Sequence, residues 1–464
     1  MKVRLVFTIW ISKLLIKACR LVDLGGTTLP GKVARKLYPD ILKAISGNFN
    51  TIMVTGTNGK TTTTRIIGRI LEENGIGYIT NKSGANLVSG VVTTFIDAVD
   101  LRGKCRMSTA LIEIDEAAFN LMADYLEPDV LVVTNFFRDQ LDRYGELYST
   151  LKGVASGIQK TKKTKLVLNA DDSLCASLGK DSGREVLYYG LSKEACSRSE
   201  DRVNQDAMFC LFCKSRYEYE YQTYGHLGGF KCPNCGYARP HAHIVCTRVQ
   251  ELSSTHSIVD FQVCDGDDGG SYKARINLPG LYNVYNALAA AACGHMLHLL
   301  VENTVKALGT FECGFGRMET ISTGGKNIKI ILVKNPTGFN QVLNFLSTED
   351  KNMQLAFAIN DRLADGTDIS WLWDVDFEKL QYIQDRIGNI YASGTRAEDM
   401  AVRLKYAGVH TDKINIEKDY SRLISAGLER LGQGESFYIL PTYTAMLDIR
   451  KLLRKKFRLK EFWK

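Results

Sequence analysis

Asn50-Thr-Ile-Met-Val-Thr-Gly-Thr-Asn-Gly-Lys-Thr-Thr62 runs a short β-branched stretch into a glycine turn and then into Lys-Thr-Thr. Residues 50–55 read as a strand. From Lys60 to Asn74 the apolar side chains Ile66, Ile67, Ile70 and Leu71 recur on one side of a helix, and Gly75 supplies its stop. Strand, glycine turn and helix together make the arrangement a triphosphate needs. Gly56 and Gly59 let backbone N–H groups approach phosphate oxygens, and the helix N-terminus adds partial positive charge. Lys60 can bridge the outer phosphates and the Thr61 hydroxyl can hold Mg²⁺. The expected ATP-binding loop is therefore Gly56, Thr57, Asn58, Gly59, Lys60, Thr61 and Thr62. The longer Gly-x-x-x-x-Gly-Lys-Ser/Thr pattern is not met, because Val54 stands where its first glycine would be. The plainer reading is a glycine turn that caps a helix and binds nothing.

Outward from this loop, strand-like runs at 106–114, 130–135, 165–169 and 185–190 are separated by helical stretches. That alternation predicts a mostly parallel α/β sheet. Residues 26–48 read as a turn and one helix, and 283–300 as one long Ala-rich helix. After residue 317 a second alternation begins: strands at 328–333, 354–359, 389–392 and 436–439, with helices at 340–346, 376–387 and 397–407. A chain of 464 residues is too long for one ordinary core. The expected α/β organisation is an N-terminal helical segment (1–45), a central ATPase domain (46–315) with an insert at 205–245, and a smaller C-terminal α/β domain (316–464).

The insert carries Cys210-Leu-Phe-Cys213 and Cys232-Pro-Asn-Cys235, with eighteen residues between the pairs. This is zinc-ribbon spacing: each C-x-x-C is a knuckle that offers two thiolates to a tetrahedral ion. Four sulfurs would close the shell, so the ion would be structural. The alternative is two thiol pairs, oxidised or free. His226, His241 and His243 lie close by and read as ordinary polar residues. The other eight of the twelve cysteines are scattered singly and fit a reducing, cytosolic setting. A net charge of +8 suits phosphorylated substrates or an anionic surface, and is too weak to imply nucleic acid.

Residues 5–22 are apolar except for Lys13, Lys17 and Arg20, which a helix would place on one face. That basic stripe argues against a membrane-spanning helix. Two readings stay open: a helix packed on the domain body, or one lying at the membrane surface.

Further motifs follow the loop in a fixed order: Glu113-Ile-Asp-Glu116; Thr134-Asn135 with Asp139 and Gln140; Asn169-Ala-Asp-Asp172; Gly280-Leu-Tyr-Asn-Val-Tyr-Asn286; and Gly316-Arg317-Met-Glu319. Together they resemble the Mur ligases and folylpolyglutamate synthases over roughly residues 30 to 460. The resemblance implies that Glu113 serves a Mg²⁺ ion, with Asp115 and Glu116 competing for the role. It also implies that Asn283, Asn286 and Arg317 meet the nucleotide; the plainer alternative for these is helix packing and a surface charge.

Three departures narrow the resemblance to amidating members of the family. No room precedes the loop for a uridine-nucleotide domain, Val333-Lys-Asn-Pro-Thr-Gly338 replaces a histidine-containing block, and a cysteine insert is present. The resemblance then implies ATP-dependent amidation of the D-glutamate α-carboxylate in the lipid II stem peptide, through an acyl phosphate, at the inner face of the cell membrane. It implies ammonia from a glutaminase partner, GatD, whose Cys-His pair is completed by an acid of this chain. Asp361, Asp365, Asp368 and Asp374 are candidates, and Asp368, in Asp365-Gly-Thr-Asp-Ile-Ser-Trp371, is the choice. Asp368 could equally cap a following helix. The competing readings are a stand-alone amino-acid-adding ligase and a zinc-ribbon NTPase acting on nucleic acid.

Overall fold

The computed structural model describes all residues except 1, 22–27, 48, 82–84, 106, 139–146, 197–206, 265–268, 313–316, 458 and 460–464. Asp139, Gln140 and Gly316 therefore lie outside the described residues, as does the side chain of Arg317.

The β-branched stretch forms strand β1 (Asn50–Thr55), buried from its second residue onward. The sheet around it contains β2 (Tyr78–Thr80), β3 (Thr109–Glu113), β4 (Val130–Val133), β5 (Lys165–Asn169), β6 (Val186–Leu191), β9 (Ile244–Leu252), β10 (Ser257–Val263) and β11 (Gly270–Ile276). Their order is β11-β10-β9-β6-β5-β4-β1-β3-β2. Pairing is parallel from β2 to β9, and antiparallel only at the β9–β10–β11 edge. From β1 the chain builds β2 and β3 on one side and then crosses to β4 on the other. The carboxyl ends of β1 and β4 therefore flank a topological switch point, where open α/β sheets bind ligands.

Helix α4 (Lys60–Glu73) packs one face of the sheet beside the Ala-rich helix Leu281–Met296, whose small side chains are almost all buried. The other face carries α1 (Lys2–Leu21), α2 (Leu29–Leu37), α3 (Ile41–Ser46), α5 (Val88–Ala98), α6 (Glu116–Met122) and the helix Leu147–Lys160. Gly31 of α2 lies so close to α5 that a Cβ there would sit 1.9 Å from the Ser89 carbonyl oxygen. Inserted after β6, the cysteine segment forms a hairpin of β7 (Glu218–Gln222) and β8 (Gly228–Lys231).

The second sheet is β12-β13-β17-β14-β15-β16, formed by β12 (Arg317–Thr323), β13 (Lys326–Ile331), β14 (Met353–Ala358), β15 (Ile387–Ser393), β16 (Ile414–Ile416) and β17 (Ser436–Pro441). It is parallel except for β12 and has an apolar core on each face.

Several expected elements differ. Residues 26–48 hold two helices, because Pro39 follows α2 and cannot donate to a continuing helix. The Ala-rich helix ends at Met296, with His298 in the left-handed region (φ 56°), and a separate helix Val301–Thr310 follows. The helix expected at 376–387 is instead two 3₁₀ turns, Phe377–Tyr382 and Gln384–Arg386. Side chains from elsewhere stitch this segment down: Arg403 donates to the Leu372 and Val375 carbonyls, and Lys413 to those of Gln384 and Ile387.

Candidate active site

The glycine loop between β1 and α4 sits at the switch point. Gly56 and Gly59 have φ of +123° and +84°, a region that favours glycine. A Cβ on Gly56 would lie 2.3 Å from Thr134 Oγ1, and one on Gly59 2.0 Å from Asn286 Oδ1. The residues that follow β4 clasp the loop from the side. Asn135 Oδ1 accepts from Asn58 N–H (2.9 Å), its amide donates to Asn58 O (3.1 Å), and Thr134 Oγ1 donates to the same oxygen (2.7 Å). Thr57 is held from both sides by the backbone of Phe137.

Lys60 opens α4 and is buried. Its Nζ donates to the carbonyls of Gly56 and Thr57 and to Glu116 Oε2 at 2.8 Å. Burial by itself would push the lysine pKa down; the nearby carboxylates of Glu116, Asp115 and Glu113 outweigh it and hold Lys60 raised, hence charged. The three acids near the end of β3 divide their work. Asp115 caps α6 by accepting from Ala117 N–H, and Glu116 pairs with Lys60. Glu113 has its backbone pinned on both sides by Asn81, and its buried side chain starts from the strand terminus. Thr61 and Thr62 sit buried at the start of α4. The site thus offers a helix N-terminus, a charged lysine and hard oxygen donors. That chemistry fits a nucleotide triphosphate with Mg²⁺, for which Thr61 and Glu113 would be ligands.

Next to the loop a cleft opens between the two sheets. Phe137, Tyr224, Tyr282 and Asn283 line it from the central domain, and Met318, Ile331, Gly338 and Gln341 from the C-terminal one. Asn335, which caps the helix Pro336–Ser347, reaches across and donates to Asn58 Oδ1 at 3.0 Å. Asn283 and Asn286 lie at this cleft and are bonded to one another (3.1 Å), with Asn283 also donating to the Pro279 carbonyl.

In the insert, Cys210 Sγ lies 3.5 Å from Cys235 Sγ, and Cys213 Sγ 3.4 Å from Cys232 Sγ. All four sulfurs fall within 4.8 Å of one another. Sulfurs of a disulfide are about 2.0 Å apart; four thiolates around one zinc, each at ~2.3 Å, are separated by about 3.8 Å. The cluster could hold a metal ion and is far from disulfide geometry. Hydrogen bonds from the Ser215 N–H and hydroxyl and from Asn234 push the Cys213 thiol down, while Cys235, bonded to the other sulfurs, is pushed up, so the four share protons as a group rather than each standing as a thiolate.

Two buried aspartates of the 169–172 motif fasten this insert to the sheet. Asp171 accepts from Arg239 (2.6 Å) and from the Tyr285 hydroxyl (2.7 Å), while Asp172 pairs with His226 Nε2 (3.1 Å) and accepts from Phe136 N–H. The β7–β8 turn thereby delivers Tyr224 to the interdomain cleft, stacked on Phe137 at 5.9 Å. His243 accepts from Tyr188 N–H and serves the backbone, consistent with its reading as an ordinary polar residue.

Asp368 lies in the loop after β14, half-exposed. Its carboxylate accepts from the N–H (2.8 Å) and hydroxyl (3.0 Å) of Ser370, at the head of the 3₁₀ turn Ser370–Asp374. Asp365 is buried and holds Thr444 at the end of β17, and Asp361 accepts from Thr395. Of the four acids weighed from the sequence, Asp365 alone is buried; Asp361 and Asp368 are partly exposed and Asp374 is exposed.

The C-terminal architecture, with its parallel sheet and the loop of Asp361 to Asp374, has a counterpart among known families. Residues 54–239 match the Mur ligase middle domain, and residues 332–446 match the MurT ligase C-terminal family. Along 93% of its length the chain is 36% identical to the lipid II isoglutaminyl synthase (glutamine-hydrolyzing) subunit MurT of Streptococcus pneumoniae, 93% of which is covered. The chain belongs to the MurT family. The corresponding Staphylococcus aureus (strain COL) subunit is 34% identical over 97% of this chain and 98% of its own. Among solved structures, a pseudomurein peptide ligase type C from Methanothermus fervidus shares the fold, with a TM-score of 0.63 and 24% identity over 90% of this chain and 80% of that one.

Within this MurT-family chain the structure brings Asn58, Gly59, Thr62, Asn283 and Asn286 together at one cleft, leaves Glu113 buried at the end of β3, and puts the Arg317 backbone at the start of β12. Sequence reasoning missed Tyr224, Phe137 and Asn335, which arrive from distant segments. It also left Asp171 and Asp172 without a task, although their motif was visible.

Proposed function

We propose that this chain is the ATP-dependent synthetase subunit of a lipid II amidating enzyme in peptidoglycan synthesis. It converts the D-glutamate α-carboxylate of the stem peptide to the amide of D-isoglutamine. A carboxylate is a poor electrophile at neutral pH. Transfer of the γ-phosphoryl group to it forms an acyl phosphate; ammonia then attacks the acyl carbon, phosphate leaves, and the nitrogen loses a proton. The chain's task is positioning and charge neutralisation. Lys60 would hold the outer phosphates, the loop N–H groups would cradle them, and Asn283, Asn286 and Arg317 would meet the rest of the nucleotide. Thr61 and Glu113 would hold Mg²⁺, which supplies neutralisation of phosphate charge. The four insert cysteines would hold a structural zinc. The observation that carries this reading is a buried, charged lysine at a helix N-terminus, in a loop whose Asn58, Gly59 and Thr62 line a cleft shared by both domains.

The second subunit would be the glutaminase GatD, which releases ammonia from glutamine. Asp368 would orient and stabilise the charged state of the partner's catalytic histidine, as the acid of a Cys-His-Asp triad does. The complex would work in the cytoplasm at the membrane face. Copurification with a glutaminase, followed by mass spectrometry of a lipid-linked stem peptide, tests the whole reading. Replacement of one carboxyl hydroxyl by an amino group supports it. Addition of a complete amino-acid residue, without glutaminase, would support the stand-alone ligase instead.

A further inference from the structure

Helix α1 is apolar on two faces, and the protein covers only one of them. Ile9, Ser12, Ile16 and Cys19 are buried against α2, α5 and the core beneath. On the other side Val3 (83% exposed), Val6 (40%), Phe7 (52%), Trp10 (49%), Leu14 (47%) and Leu21 (87%) face outward. At a helical turn of about 100° per residue these six fall within an arc of about 100°. Scattered single apolar side chains on a surface need no explanation; a continuous stripe from Val3 to Leu14, about three turns of helix, does.

Lys13 and Arg20 run along one border of the stripe, and Lys17 falls inside its edge, between Val6 and Trp10. Lys13 donates to the Asp97 carbonyl and Arg20 pairs with the Asp97 carboxylate, while Lys17 is exposed. Aromatic and aliphatic residues on one face with a basic border are the pattern of a helix lying in a lipid interface. Among the described residues no helix is long and apolar enough to cross a membrane.

We infer that the outer face of α1 docks this protein onto an anionic lipid surface, with Phe7, Trp10 and Leu14 entering the acyl boundary and Lys17 meeting the headgroups. The exposed ammonium of Lys17 among apolar side chains suits anionic headgroups above an acyl boundary, whereas a second copy would bury that charge against its own kind of apolar face. The inference deepens the reading of a lipid-linked substrate and rests on it for its purpose. The geometry agrees with that purpose: α5 runs from Val88, next to the Asn86 carbonyl that holds Asp115 N–H, to Asp97, which holds α1. Eleven residues of helix, about 16 Å, thus link the docking face to the acids beside Lys60.

Flotation of the full-length protein with phosphatidylglycerol vesicles tests this. The wild type is expected to float with them, less so at high salt or with phosphatidylcholine, and its tryptophan emission to shift to the blue. The combined variant Phe7→Ser, Trp10→Ser, Leu14→Ser should lose about tenfold or more in vesicle partition, with circular dichroism and ATP binding unchanged. Trp10→Phe should still float but lose the emission shift. Absence of wild-type flotation, or equal flotation of the folded triple variant, would overturn the inference; so would concentration-dependent dimerisation that the triple variant abolishes. Amidation of a short-chain, water-soluble substrate separates the two readings. If that substrate is amidated and vesicles are ignored, docking fails and the function stands; if vesicles bind and no substrate is amidated, the function fails and docking stands.

Discussion

Lys60 and Asp368 both lie where a parallel strand runs out, yet their charges are met in opposite ways. Lys60 is buried at the head of α4 and answered inside the chain by Glu116 at 2.8 Å. Asp368 is half-exposed on a turn, with Ser370 donating to both carboxylate oxygens. A buried charge has to find its counter-ion in its own fold, since leaving one unpaired costs about 3–5 kcal/mol. A surface carboxylate carries no such requirement and can serve a group on another chain. The contrast is between a charge paired inside the fold and a carboxylate on a surface turn, the second being the one proposed to serve a partner.

Lys60→Ala should have the largest effect. Amidation should fall at least about a thousandfold with glutamine and with free ammonia alike, because both routes use the phosphoryl step. The same change strands Glu116, so stability should fall too. Lys60→Ala with Glu116→Gln should recover most of the melting temperature and none of the activity. Substantial ammonia-driven turnover by Lys60→Ala would break the comparison on its central side.

Asp368→Asn comes next and sharpens the other side. Glutamine-dependent amidation should drop about a hundredfold or more, while ammonia-dependent turnover stays within about twofold. Equal losses with both nitrogen sources would move Asp368 into the fold or the ligase site, and no loss with either would leave it a cap of the 3₁₀ turn. Cys232→Ser should act less directly. It should release one zinc per chain, measured by elemental analysis, and lower thermal stability. ATP binding should weaken several-fold, because the insert presents Tyr224 to the cleft. Unchanged ATP affinity in the metal-free variant would uncouple the insert from the nucleotide.

How far the sequence could be read follows the same division. The strand, loop and helix of residues 50–73 are contiguous, so their geometry was legible from local pattern, and the cysteine spacing was legible for the same reason. The division of work among Glu113, Asp115 and Glu116 was not. A turn after β3 makes Asp115 a cap and aims Glu116 at Lys60, and no spacing rule distinguishes three acids within four residues. Tyr224 and Asn335 join the cleft from an insert and from the other domain, which only tertiary packing decides. The segment 376–387 has helical periodicity but meets Arg403 and Lys413, which hold the carbonyls of its ends and of the preceding turn. β9 and β12 escaped notice because each begins beside a stretch of unusual composition, the cysteine insert and a glycine-rich link.

The pair of Lys60 and Glu116 has one more consequence. A phosphate that approaches the ammonium group meets a rival already in residence, bonded and shielded from water. Entry is therefore an exchange of anions, and the newcomer has to bring more negative charge, or more contacts, than one carboxylate. A nucleotide triphosphate does both; inorganic phosphate does neither well. Glu116 would thus act as a discriminator, rejecting small anions by occupying their place. Glu116→Gln should tighten binding of inorganic pyrophosphate and narrow its gap to ATP, a change that titration calorimetry would read; an unaltered gap would leave Glu116 as counter-charge alone.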